Sequence, residues 1–69
     1  MVAKWQGDRL KMRRKQLGLT TAVLAQQVGC TRPVISQWES NFSSPSGHLL
    51  IILGIVLKVN PAEFYLLEQ

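Results

Sequence analysis

Catalysis needs a nucleophile, a base and a group that orients them. This 69-residue chain holds one histidine (His48), one cysteine (Cys30) and four carboxylates (Asp8, Glu39, Glu63, Glu68). No two acids lie close in sequence, His48 has no carboxylate partner, and no glycine-rich phosphate loop is present. One histidine and one cysteine make no metal site. The chain is therefore expected not to be an enzyme, and no cofactor, metal or small-molecule substrate is expected. The side chains that can do chemistry are of another kind. Arg32, Ser36 and Gln37 share one side of a predicted helix. These are hydrogen-bonding side chains, suited to binding a polar partner.

A polyanionic partner fits the charge. The net charge is +4. Six of the eight cations (Lys4, Arg9, Lys11, Arg13, Arg14, Lys15) fall in the first fifteen residues, leaving Arg32 and Lys58 downstream. Such a cluster is either a nucleic-acid footprint or a solvated helix face. Arg14 and Arg13 are the candidates here for phosphate contact.

At 69 residues the chain is one domain, and 46% apolar residues suit a globular core. With a single cysteine no internal disulfide can form, and a lone thiol fits a reducing, cytoplasmic setting. Met1–Gln6 lacks an apolar run behind a charged start, so no secretory leader is expected. The longest apolar run, Leu49–Leu57, is far short of the roughly 20 residues that span a bilayer, so no membrane partner is expected.

Five helices are expected to position the polar face. The first runs from about Gly7 to Leu17, with Leu10, Arg14 and Leu17 at helical spacing, and Gly18 ends it. The second covers Thr21–Val28, capped by Thr20, with Leu24, Ala25 and Val28 inward. The third begins just after Thr31, expected to be another N-cap, carries Pro33 in its first turn and ends near Ser40. Its Ile35 and Trp38 point inward. Between the second and third, Gly29-Cys30 makes a tight turn, where Gly29 tolerates positive φ. The fourth covers about Gly47–Leu57. The fifth is expected to start at Asn60, where Asn60, Pro61 and Glu63 form a capping signal, and to dock Phe64, Leu66 and Leu67 on the core. Residues 1–6 are expected to form an N-terminal arm, and 7–67 the domain. Phe42 is expected to cover the core edge, His48 to lie on the surface, and Trp5 to pack on the domain or lie in a tail.

The segment TTAVLAQQVGCTRPVISQWES (Thr20–Ser40) thus reads as helix, tight turn, helix. With RLKMRRKQLGLT before it and SPSGHLLIIL…LKVNPAEF after it, the chain resembles the lambda repressor-like helix-turn-helix family of phage repressors and Cro proteins from about Asp8 to Tyr65. The resemblance implies an all-α, five-helix domain that binds double-stranded DNA as a sequence-specific transcriptional regulator. It implies base reading by Arg32, Pro33, Ser36 and Gln37, with Pro33 against a thymine methyl. It implies backbone contacts by Arg14, Thr21, Gln26, Thr31 and Ser40, and an ion pair between Arg14 and Glu39.

Departures from the family pattern shape two further expectations. Thr21 stands where a longer glutamine is common. The fourth helix is apolar all round: Leu50, Ile51, Leu53, Val56 and Leu57 match core positions, while Leu49, Ile52 and Ile55 fall where polar residues are usual. A homodimer through Leu49, Ile52 and Ile55 is expected. The competing class is an antitoxin-like protein-interaction module whose partner surface is the fourth helix, or an engineered variant of a repressor domain.

Overall fold

In the computed structural model, which describes all 69 residues, four helices and a two-stranded ribbon make up the chain. The order is β1 (Val2–Trp5), α1 (Gly7–Gln16), α2 (Thr21–Val28), α3 (Arg32–Glu39), α4 (Gly47–Leu57), a 3-10 turn (Pro61–Phe64) and β2 (Tyr65–Glu68). Helix α2 starts where the Thr20 hydroxyl accepts the Val23 amide at 3.1 Å. It ends at Gly29, whose φ of +88° is a left-handed cap, and the Gly29 and Cys30 amides both donate to the Ala25 carbonyl. Thr31 precedes α3 in extended conformation, but its side chain makes no capping bond.

The core is built from every helix. Leu10, Leu24, Ile35, Leu53 and Leu57 are fully buried, with Ala25, Val28, Trp38 and Phe64 around them. Burying a side chain of this size contributes about 1.5–3 kcal/mol. Helices α2 and α3 pack on each other, α1 lies against α3, and α4 lies against α2.

The five-helix expectation needs correcting at its last element. Asn60 and Glu63 do form a capping box: Asn60 Oδ1 accepts the Ala62 amide at 3.0 Å, and Glu63 accepts the Asn60 amide at 3.1 Å. The turn stops after four residues, because the chain then finds a strand partner. β2 pairs antiparallel with β1, Val2 opposite Glu68 and Trp5 opposite Tyr65. Residues 2–5, expected in an arm, thus form a strand of the domain. Phe64 is buried as expected, but Leu66 and Leu67 lie on the exposed ribbon and do not dock on the core.

Candidate nucleic-acid interface

The outer side of α3 is set by what its inner side buries. Ile35 and Trp38 lie three residues apart and face the core, so Arg32, Pro33, Ser36 and Gln37 face solvent together. Pro33 sits in the first turn, where its missing N–H breaks no helical bond. The far end of α3 is held by hydrogen bonds. The Gln37 carbonyl accepts from the Ser40 hydroxyl at 3.2 Å and from the Phe42 amide at 2.9 Å. Orphan carbonyls at a helix end must be satisfied in this way or by water.

Of the expected backbone-contacting residues, Gln26, Thr31 and Ser40 are exposed and Thr21 is half-buried. Arg14 requires a correction. Its side chain is buried, and all three guanidinium nitrogens are engaged within the chain: Nε to Glu39 Oε2 at 2.7 Å, Nη2 to Glu39 Oε1 at 3.2 Å, and Nη1 to the Leu19 carbonyl at 2.8 Å. A guanidinium so enclosed does not reach a phosphate. The expected Arg14–Glu39 ion pair is present, and burial makes it a core feature. Arg13 is likewise engaged, its Nε on the Leu57 carbonyl at 2.9 Å.

The apolar surface of α4 also differs from expectation. Leu49 and Ile52 are half-buried against the core. Ile51, expected inside, is 60% exposed, and Ile55 is 72% exposed. The open apolar face therefore runs along Ile51 and Ile55, with Ile52 at its edge. Phe42 is 80% exposed and covers nothing.

Of the two places left open for Trp5 the structure shows packing on the domain, while the roles of Asn41 and Gly7 were missed by sequence reasoning. Trp5 packs edge-on against Phe64 and Tyr65, with ring centroids 5.7 and 5.6 Å apart, and its indole donates to the Trp38 carbonyl at 2.8 Å. Asn41 follows α3 with φ +65° and accepts the Gly7 amide at 2.7 Å. An asparagine just past a helix end is a signal for that conformation. Gly7 touches the end of α3 so closely that a Cβ there would lie 2.2 Å from the Trp38 carbonyl oxygen. Cys30 is half-buried in the turn, and burial raises its thiol pKa. No group of three His, Cys, Asp or Glu side chains comes together where a metal could bind. No helix is long and apolar enough to cross a membrane.

Two short helices joined by a tight glycine turn, the second with a polar outer face, define a helix-turn-helix domain. A helix-turn-helix family model matches residues 10–64, and the chain belongs to that family. It is 37% identical over 61 residues to repressor protein C2 of Salmonella phage P22, a stretch that is 88% of this chain and 28% of that protein. It is 38% identical over 55 residues to the transcriptional regulator DicA of Escherichia coli K12, covering 80% of this chain and 41% of that protein. The chain thus spans less than half the length of either relative. Its fold matches a crystal structure of the P22 c2 repressor in complex with a synthetic operator at a TM-score of 0.84 and 34% identity, covering 88% of this chain and 92% of that one.

Proposed function

We propose that this domain is a sequence-specific double-stranded DNA-binding transcriptional regulator of the phage repressor type, with α3 entering the major groove. The observation that carries this is the outer face of α3, where Arg32, Pro33, Ser36 and Gln37 stand exposed on a helix anchored from behind by Ile35 and Trp38. The similarity to a repressor seen in complex with an operator supports it. The groove admits one α-helix, and each base pair presents a distinct edge there. Gln37 bridges adenine, Arg32 reaches guanine or a phosphate, and Pro33 meets a thymine methyl. Thr21, Gln26, Thr31 and Ser40 steady the helix on the backbone. Arg14 takes no part in contact, and the domain has no catalytic role.

The reading includes a two-fold dimer through α4, favoured by the exposure of Ile51 and Ile55. Bare isoleucines on one helix face call for a cover, and a second copy supplies the same face. Two subunits would read half-sites about one helical turn apart.

Selection from random duplexes at about 150 mM salt tests both parts, because specific contacts survive salt better than phosphate contacts alone. The expected result is a two-fold symmetric motif. A single short half-site would remove the dimer and keep the reading of DNA. Failure to enrich any sequence would move the function to a protein-interaction module with α4 as its partner surface.

A further inference from the structure

We propose that Trp5 is a positioning residue for DNA reading, holding the C-terminal end of α3 so that Gln37 presents its amide at a fixed place. This rests on the reading of α3 as the recognition helix. The ribbon of β1 and β2 joins the two ends of the chain beyond residues 10–64, the stretch matched by the family model, and Trp5 lies where it meets the domain.

Trp5 bears on one spot. The Trp38 carbonyl, at the last turn of α3, accepts the Trp5 indole N–H at 2.8 Å, while the Asn41 amide approaches it only at 3.3 Å. Trp5 is therefore the shorter, principal donor. The ring is packed in this position by Phe64 and Tyr65, which meet it edge-on from the adjacent turn and strand. Just beyond, the Gly7 amide donates to Asn41 Oδ1 at 2.7 Å, and Gly7 itself lies against the Trp38 and Glu39 carbonyls. Arg14 grips the Glu39 carboxylate. Residues 5–14 thus clamp the end of α3 from one side.

Position matters there because Gln37 immediately precedes Trp38. Helix α3 has eight residues, so it is about 12 Å long. A rod that short tilts as a whole when one end is released. Base readout needs its hydrogen-bonding groups held within about 0.5 Å. Phosphate contacts tolerate more, since long side chains follow a moving charge. Loosening the clamp should therefore erode discrimination between sequences.

The test compares wild type with Trp5→Phe, which keeps a ring against Phe64 and Tyr65 and removes the indole N–H. The readout is the ratio of affinities for the selected duplex and for a scrambled duplex of equal length. It is taken at a temperature where circular dichroism shows both proteins folded. The ratio should fall roughly three- to tenfold in Trp5→Phe. An unchanged ratio in a folded variant overturns the proposal, because loss of stability alone would not move it. A measurement on wild type covers the case in which the variant does not fold. Exchange of the Trp5 indole proton, followed by NMR, should slow on adding the selected duplex and not on adding the scrambled one. Equal exchange with both overturns the proposal. If wild type does not distinguish the two duplexes at all, the reading of α3 itself falls, and that result is seen before any variant is made.

Discussion

Helix α1 carries five of the eight cations and helix α3 carries one, yet α3 is the element proposed to meet DNA. The difference lies in what the arginines already hold. Arg9 donates to the Glu63 and Tyr65 carbonyls, each at 3.1 Å. Arg13 satisfies the Leu57 carbonyl at the end of α4, and Arg14 is sealed on Glu39. These three arginines of α1 close the ends of other elements. Arg32 on α3 is exposed and has no ion-pair partner in the chain. A count of basic residues measures charge, whereas a partner feels only what is uncommitted. Arginine suits the inward task because its fork of donors can satisfy several acceptors at once.

The largest effect expected from this contrast is at Arg14. Arg14→Ala leaves Glu39 buried without its partner, which should cost about 3–5 kcal/mol of stability. Thermal unfolding would show this, and a domain of this size stable by about 5–15 kcal/mol has little to spare. A melting point equal to wild type would break the view of α1 as structural. Next comes Gln37→Ala on α3. It should leave melting unchanged and weaken binding to the preferred site by about 1–3 kcal/mol, with relaxed preference at one base pair. Equal weakening on every sequence would show that Gln37 reads no base.

Smaller effects sharpen the comparison from both sides. Arg13→Ala should lower stability by about 0.5–1.5 kcal/mol through the lost bond to Leu57. Arg32→Ala should leave stability intact and weaken binding to DNA. The dependence of affinity on salt separates the two, since each lost phosphate contact reduces the slope by about one. A reduced slope for Arg13→Ala would return α1 to the interface. The smallest effect concerns the turn at the foot of α3. Burial raises the Cys30 pKa, so the thiol stays neutral further up the pH scale than a free one and sets no anion beside the outer face of α3. Alkylation near neutral pH should be slower in the folded protein than in the unfolded chain, and equal rates would contradict this.

Much of this is legible from neighbouring residues. Thr20 and Gly29 bracket α2, and Ile35 and Trp38 fix which way α3 faces. The start signal at Asn60 is legible too, but the strand beyond Phe64 is not. Tyr65, Leu66 and Leu67 become a strand because β1 lies alongside, and no local pattern announces a partner from the other end of the chain. Helix α4 misleads for a different reason. When every side of a helix is apolar, periodicity carries no phase, so Ile51 reads as inward and Leu49 as outward, the reverse of their places in the fold. Arg14 is half legible: its pair with Glu39 is expected, but only packing shows that the pair is sealed away from any phosphate.

The ribbon has a kinetic meaning as well. Its paired residues are 60 or more positions apart in the chain, from Trp5–Tyr65 to Val2–Glu68. Closing so long a loop is entropically unfavourable until the helices have already brought its ends together. β1 and β2 are therefore expected to be the last segments to zip during folding and the first to fray. Local opening of this kind occurs well below the free energy of global unfolding. With Trp5 on the end of α3, each fraying event releases the Trp38 carbonyl. Under the role proposed for Trp5, binding and zipping are linked, and by reciprocity a duplex that needs the clamped helix would itself hold the two ends of the chain together.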